Sequence, residues 1–199
     1  MVGTKKLWLM RAVVCWIGVT FTCIAASVFY LVGMGSDPYQ VFVMALHRML
    51  GITYGQANMI LNCTIVCFFI IFQRRYINLA MVLSVFYSGT CIDIINTVLS
   101  AVIVPDLSVI VRALLSIFGC YLYISADLGA SPPDGIGLFI SEKTRIPYKR
   151  VRIGTDVLFL CIGVVLGGTA GFATAAAVVL TGPMIGLFQE NMPSRCRMF

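Results

Sequence analysis

An all-α integral membrane protein is the fold class this chain predicts, and three observations carry the prediction. Of its 199 residues, 60% are hydrophobic and only 11% are charged, whereas a soluble domain carries about 25% charged residues. Apolar runs recur that are long enough to cross a bilayer core, which takes about 20 residues in a helix. Lys and Arg collect on alternate connections between those runs, as they do on cytoplasmic loops. So few charges would leave a soluble globule of this size uncoated, and they are too few for a nucleic-acid binder. The lipid bilayer is the expected partner, nucleic acid is not, and 1–199 reads as a single membrane domain.

Six transmembrane helices follow in order. Ala12–Ser36 and Met49–Gln73 are free of charge, Tyr76–Pro105 contains only Asp93, and Leu107–Ala126 contains only Arg112. Val157–Gln189 is uncharged but too long for one crossing. Gly167, Gly168 and Gly171 interrupt it, which predicts helices over about Tyr148–Leu166 and Phe172–Gln189 joined by a tight turn. The first run is longer than the apolar core of a usual signal peptide, so it reads as a retained span. With the N-terminus in the cytoplasm, only Arg48 and Arg112 of the 14 cations fall outside. Both termini, including a short tail at 191–199, are then cytoplasmic.

A shift of 94 residues aligns the two halves without a gap: Gly35 falls on Gly129, Pro38 on Pro132, Ile52 on Ile146 and Tyr54 on Tyr148. The physical roles agree as well. In each half a long apolar helix meets a Gly, which tolerates the left-handed conformation that ends helices. An N-cap residue follows, Asp37 or Ser131, and then a Pro suited to the first helical position. A short helix of about 12 residues therefore starts at once, and another span begins near Thr53 or Pro147. Three spans per half is an odd number, so repeat 1 (about 7–104) and repeat 2 (about 106–190) have opposite orientation. Broken helices at matching places of an inverted-topology repeat are the best sequence pointer to a transporter site. The bland alternative is that the short helices lie flat on the leaflets.

Polar groups inside a membrane are costly and need a reason. Asn58 and Asn62 share a helix face and fall on Arg152 and Asp156 under the same shift. Arg152 and Asp156 can pair at i, i+4, which lowers their desolvation cost. Substrate binding is accordingly assigned to Gly35, Ser36, Asp37 and Gln40 of the first elbow and Gly129, Ser131 and Asp134 of the second. Asn58, Asn62, Arg152 and Asp156 complete the wall. Asp93 and Asp156 are the ion-coupling candidates, because burial favours the neutral form of a carboxylate and lets it carry a proton. Arg112 is the expected partner of Asp93 toward the outer side. His47, beside Arg48, reads as a solvated outer residue.

The eight Cys lie mostly in apolar runs, no C-x-x-C occurs, and the single His is His47. No metal site and no cofactor is expected. Gly163 and Gly167 form a G-x-x-x-G, and Gly171, Ala173, Ala175, Ala176, Ala177, Gly182 and Gly186 keep the last span thin. Such faces allow close helix packing, within the chain or in a homodimer. No H-E-x-x-H, G-x-S-x-G or Walker A motif is present, so no enzymatic activity is expected.

The phrases GMGSDP at Gly33–Pro38, LGASPPDG at Leu128–Gly135 and VRIGTD at Val151–Asp156 resemble those of the YczE/YitT family of bacterial membrane proteins, as does GVVLGGTAGFATAAAVVLTGP at Gly163–Pro183. The YczE branch is the nearer, and the resemblance runs from about Arg11 to Gln189. It implies a multi-span bacterial plasma-membrane protein and carries over no substrate or catalytic residue. The function expected from the repeat and its broken helices is a small secondary transporter or exporter. It would move a small polar or charged solute through a site between the halves. The alternatives are a six-span substrate-capture subunit of a vitamin-type ABC importer, and a non-transporting structural or regulatory membrane protein.

Overall fold

Where the sequence places a short helix, the local backbone builds one. The computed structural model describes residues 2–32, 37–77, 79–102, 131–171 and 174, and every regular element among them is helical. Helix α1 runs over Val2–Val32. Helix α2, Pro38–Leu50, starts because Asp37 is extended and its side chain accepts from the Tyr39 and Gln40 N–H groups, at 2.9 and 3.4 Å. It stops at Gly51, left-handed at φ +63°. Helix α3, Tyr54–Phe72, opens with a reciprocal capping box between Thr53 and Gln56. A 3-10 turn at Arg74–Tyr76 leads into α4, Leu79–Val102.

In the second half α5 spans Pro132–Thr144 with Ser131 at its N-cap, and α6 spans Tyr148–Val165. Ser131 does not cap with its side chain; its hydroxyl donates to Asp134 instead. Helix α6 ends at the expected glycines, with Gly167 at φ +90°. Helix α5 ends on Arg145 at φ +58°, the one left-handed non-glycine among the described residues. Under the 94-residue shift Gly51 occupies that place in the first half. A Cβ there costs roughly 1 kcal/mol. The helix stops expected at Gly35 and Gly129, the span Leu107–Ala126, and all of Phe172–Gln189 except Thr174 lie outside the described residues.

Small and polar side chains set the packing. Helices α3 and α4 cross at Gly55 and Gly89, where a Cβ on Gly55 would lie 2.1 Å from the Gly89 carbonyl oxygen. Helix α1 lies along α4, with the Thr20 and Tyr87 hydroxyls 2.9 Å apart and the Ser27 hydroxyl donating to the Ile92 carbonyl at 3.4 Å. Helix α2 lies along α6. A Cβ on Gly163 would meet the Phe42 nitrogen at 2.8 Å, and Arg48 donates to the Gly167 carbonyl at 3.0 Å. Gly163 and Gly168 thus spend their bareness on the α2 backbone within this chain. Helix α5 lies along the second half of α3, with Gly135 against Phe69 and Phe139 against both Phe69 and Tyr76.

These contacts also fix direction. Tyr39, Val41 and Arg48 of α2 meet Phe159, Gly163 and, just past the end of α6, Gly167 in order, so the two helices run the same way. Gly135 and Glu142 of α5 likewise meet Phe69 and Tyr76 in order. Helices α2 and α3 run oppositely, since Tyr39 reaches Asn62 and His47 lies against Tyr54. Short helices α2 and α5 therefore point in opposite directions, α2 packed along α6 and α5 along α3.

Tyr54, Phe69, Met81 and Ile92 fill the core. Outward faces are apolar too: Phe86 is 63% exposed and Val165 83%. Among the described residues α3 is the one helix long and apolar enough to cross a bilayer by itself. Helix α6 falls short because it carries Lys149, Arg150, Arg152 and Asp156.

Candidate functional site

Two carboxylates of the second half converge on one guanidinium. Arg152, one turn into α6, is ion-paired to Asp134 from the first turn of α5. It also pairs with Asp156, one turn further along its own helix, at 3.2 Å. Arg152 also interacts electrostatically with Tyr148, one turn earlier on α6, and with Asp37 at the start of α2. The Asp156 side chain is 4% exposed, that of Arg152 14% and that of Asp134 26%. The N-terminal end of α5 thus pairs with a half-buried guanidinium that also lies within electrostatic reach of the N-terminal end of α2. A guanidinium here is inexpensive only because its fork is matched by carboxylates.

Local structure explains the aim of each side chain. Asp134 sits at the third position of α5, beside the Ser131 hydroxyl, which orients it. Gly137 has no side chain, so the Tyr148 ring lies against α5 at 3.1 Å from where a Cβ would be. Asp37 holds the Tyr39 and Gln40 N–H groups of its own helix. Those donors are therefore not free for an anionic ligand.

A second polar layer lies between this cluster and the α2–α3 turn. Tyr39 donates to Asn62 Oδ1 at 2.8 Å, and Tyr54 donates to Gln40 Oε1 at 2.6 Å. The Tyr30 and Tyr54 rings stack with centroids 4.5 Å apart. The Tyr30 hydroxyl reaches His47 Nε2 at 3.1 Å, while His47 Nδ1 sits 2.5 Å from the Ile52 carbonyl oxygen. A carbonyl only accepts, so Nδ1 carries the proton in the neutral ring. His47 is half-buried and bonded on both nitrogens. This corrects its reading as a solvated surface residue: Tyr30 of α1 covers it.

Of the residues assigned by sequence, Asp37, Gln40, Asn62, Ser131, Asp134, Arg152 and Asp156 are brought to this region. Asn58 turns toward α4, donating to the Ser88 hydroxyl at 2.9 Å. Asp93 stands apart. It accepts from the Thr53 hydroxyl at 2.5 Å and the Gly55 N–H at 2.8 Å, and so anchors the start of α3 to α4. A carboxylate at a helix N-terminus is favourably placed by the exposed N–H groups. An open groove of about 340 Å³ runs past it, lined by Gly55, Met59, Thr90 and Thr97 among others. Gly35, Ser36, Gly129 and Arg112 lie outside the described residues. Among the described residues no trio of His, Cys, Asp or Glu is placed to hold a metal ion. Tyr39, Tyr54 and Tyr148 were not singled out as site residues by sequence. The signal was present for two of them, since Tyr54 and Tyr148 coincide under the repeat.

An all-helical bundle with apolar outer faces and its ion pairs turned inward is built as an integral membrane protein. The chain belongs to the family of unknown function DUF6198, which matches residues 9–190, and within it the chain is YczE-like. It is 34% identical over 152 residues to the uncharacterized membrane protein YczE of Bacillus subtilis, covering 75% of this chain and 71% of that one. It is also similar to the uncharacterized protein YyaS of Bacillus subtilis, 22% identical over 86% of this chain and 89% of that one. An uncharacterized protein of Haemophilus influenzae is 23% identical over 79% of this chain and 73% of its own length. No solved structure matches.

Proposed function

We propose that the chain is a small secondary transporter or exporter of the bacterial plasma membrane, with its solute site at the Arg152 cluster between two inverted repeats. The observation that carries this reading is that Asp134 of one elbow is ion-paired to Arg152 while Asp37 of the other interacts with it electrostatically. The packing supports the repeat. Val41 of α2 meets Gly163 of α6, and Gly135 of α5 meets Phe69 of α3. A shift of 94 residues turns the first contact into the second. The opposite directions of α2 and α5 support the inversion.

Arg152 is already shared between Asp134 and Asp156, so an anionic solute would have to displace a carboxylate to reach it. A solute bearing a cationic group fits better, because it can take Asp134 or Asp156 in place of Arg152. Exchange of the carboxylates between Arg152, solute and proton supplies coupling: Asp156 is either ion-paired or protonated as the solute leaves. No bond in the solute is made or broken, so the reading is a carrier and not an enzyme.

The test uses the full chain in vesicles loaded with a pH-sensitive dye. A panel of small amines, amino acids and polar neutral metabolites is added outside, after a thermal-shift screen of the same panel. Ligand binding to the native state raises apparent stability. A cationic or zwitterionic solute should move protons with wild-type protein. Asp156→Asn, folded by size-exclusion profile, should lose that movement. Proton-coupled flux unchanged in Asp156→Asn would reject the assigned role.

A further inference from the structure

The end of the bundle opposite the α2–α3 turn carries a rim of cations whose position has a cost. Tyr76 of the 3-10 turn is hydrogen-bonded to Glu142 of α5, and its ring lies 5.8 Å from that of Phe139. That contact brings the α3–α4 turn beside the α5–α6 turn. Arg74, Arg75, Lys143, Arg145, Lys149 and Arg150 are all exposed there. The acid among them, Glu142, is engaged by Tyr76. Next to the cations stand apolar side chains with no cover: Ile71 is 74% exposed, Phe72 64% and Ile146 43%.

Arg145 adds an independent observation. Its left-handed backbone favours glycine, and Gly51 fills the matching place in the other half at φ +63°. The turn geometry therefore explains a Gly and not an Arg. Strain retained at one residue is a pointer to what its side chain does.

We infer that this rim is a docking surface for anionic phospholipid headgroups, with Arg145 held in a strained conformation to place its guanidinium among them. The bare Ile71, Phe72 and Ile146 beside the cations select a lipid over a soluble acidic protein: acyl chains cover the apolar side chains while phosphates meet the cations. Arg74 and Arg75 approach from one turn, and Lys143, Arg145, Lys149 and Arg150 from the other. A headgroup between the turns would bridge the two halves of the chain. This inference does not depend on transport.

The experiment compares the full-length protein in phosphatidylcholine vesicles with and without a third of phosphatidylglycerol. The readouts are lipid retained after extraction and melting temperature. Each Lys or Arg near an anionic surface contributes about 1 kcal/mol, which is roughly fivefold in occupancy. Arg145→Gly should therefore retain roughly fivefold less phosphatidylglycerol. It should also melt no lower than wild type in pure phosphatidylcholine, because the strain is gone. Arg74→Gln with Arg75→Gln should lower retention through the other turn, and raised salt should weaken all of it. Equal retention by wild type and Arg145→Gly would overturn the inference. So would the same stabilisation by soluble glycerol phosphate, which would make the ligand a free phosphate, or a wild type indifferent to phosphatidylglycerol.

Discussion

Two glycines nine residues apart on α6 should respond to alanine with opposite signs. Gly154 has open space where a Cβ would go, with nothing within 4 Å. Gly163 would place its Cβ 2.8 Å from the Phe42 nitrogen and 2.9 Å from the Val41 carbonyl carbon. Alanine in a helix interior gains about 0.5–1 kcal/mol over glycine, chiefly through chain entropy. That gain should appear in full for Gly154→Ala. For Gly163→Ala it is opposed by overpacking of about 1–3 kcal/mol. The upper part of that range applies, because the obstacle is the α2 backbone and not the tip of a flexible side chain. The alanine gain is common to both, so the variants should differ by the overpacking cost, about 2–3 kcal/mol, which for a chain of this size is roughly 4–12 °C in melting temperature. The assay is thermal unfolding of the purified protein in detergent, followed by tryptophan fluorescence and by the fraction remaining monodisperse. Gly163→Ala should also loosen the α2–α6 contact that brings Asp37 to Arg152, lowering activity more than its stability loss explains. Equal melting temperatures for the two variants would show that α2 does not press on α6 at Gly163. The placement of the first elbow would fall with it.

Asp93→Ala should destabilise the protein by about 2 kcal/mol, because the Thr53 hydroxyl and the Gly55 N–H both lose a charged acceptor. Solute-coupled proton flux per folded molecule should stay at the wild-type level, as measured in the dye-loaded vesicles. Tyr54→Phe should cost about 1 kcal/mol by leaving Gln40 Oε1 without its donor, a loss measurable by the same melt. Burial and the Glu142 hydrogen bond push Tyr76 from 10.0 up to about 12. Its neutral phenol is the donor, so this contact is intact below pH 10 and is lost as pH rises through about 12. An alkaline absorbance titration should lose one late-ionising tyrosine in Tyr76→Phe.

Much of this architecture follows from local physics, and those parts were legible in the sequence. Asp37-Pro38, Thr53 with Gln56, Ser131-Pro132 and the glycines after Val165 start and stop helices through bonds within a few residues. Their boundaries can therefore be read without knowing the fold. Low charge and long apolar runs likewise reported the bilayer, since composition alone decides which solvent a surface suits. The i, i+4 pairing of Arg152 with Asp156 was readable for the same reason.

Tertiary packing decided which polar groups share a site. Asp93 and Asp156 look alike in the sequence, each a carboxylate amid apolar residues. The Gly55–Gly89 crossing brings Asp93 to the start of α3, where backbone N–H and hydroxyl groups satisfy it. The α5–α6 turn brings Asp134 to Arg152 beside Asp156. His47 was hidden from sequence reasoning because its cover, Tyr30, comes from another helix. Asn58 and Asn62, neighbours on one face, part toward α4 and α2 for the same cause. A helix face gives direction along its own axis only, and what lies opposite it is fixed by contacts between residues far apart in the chain.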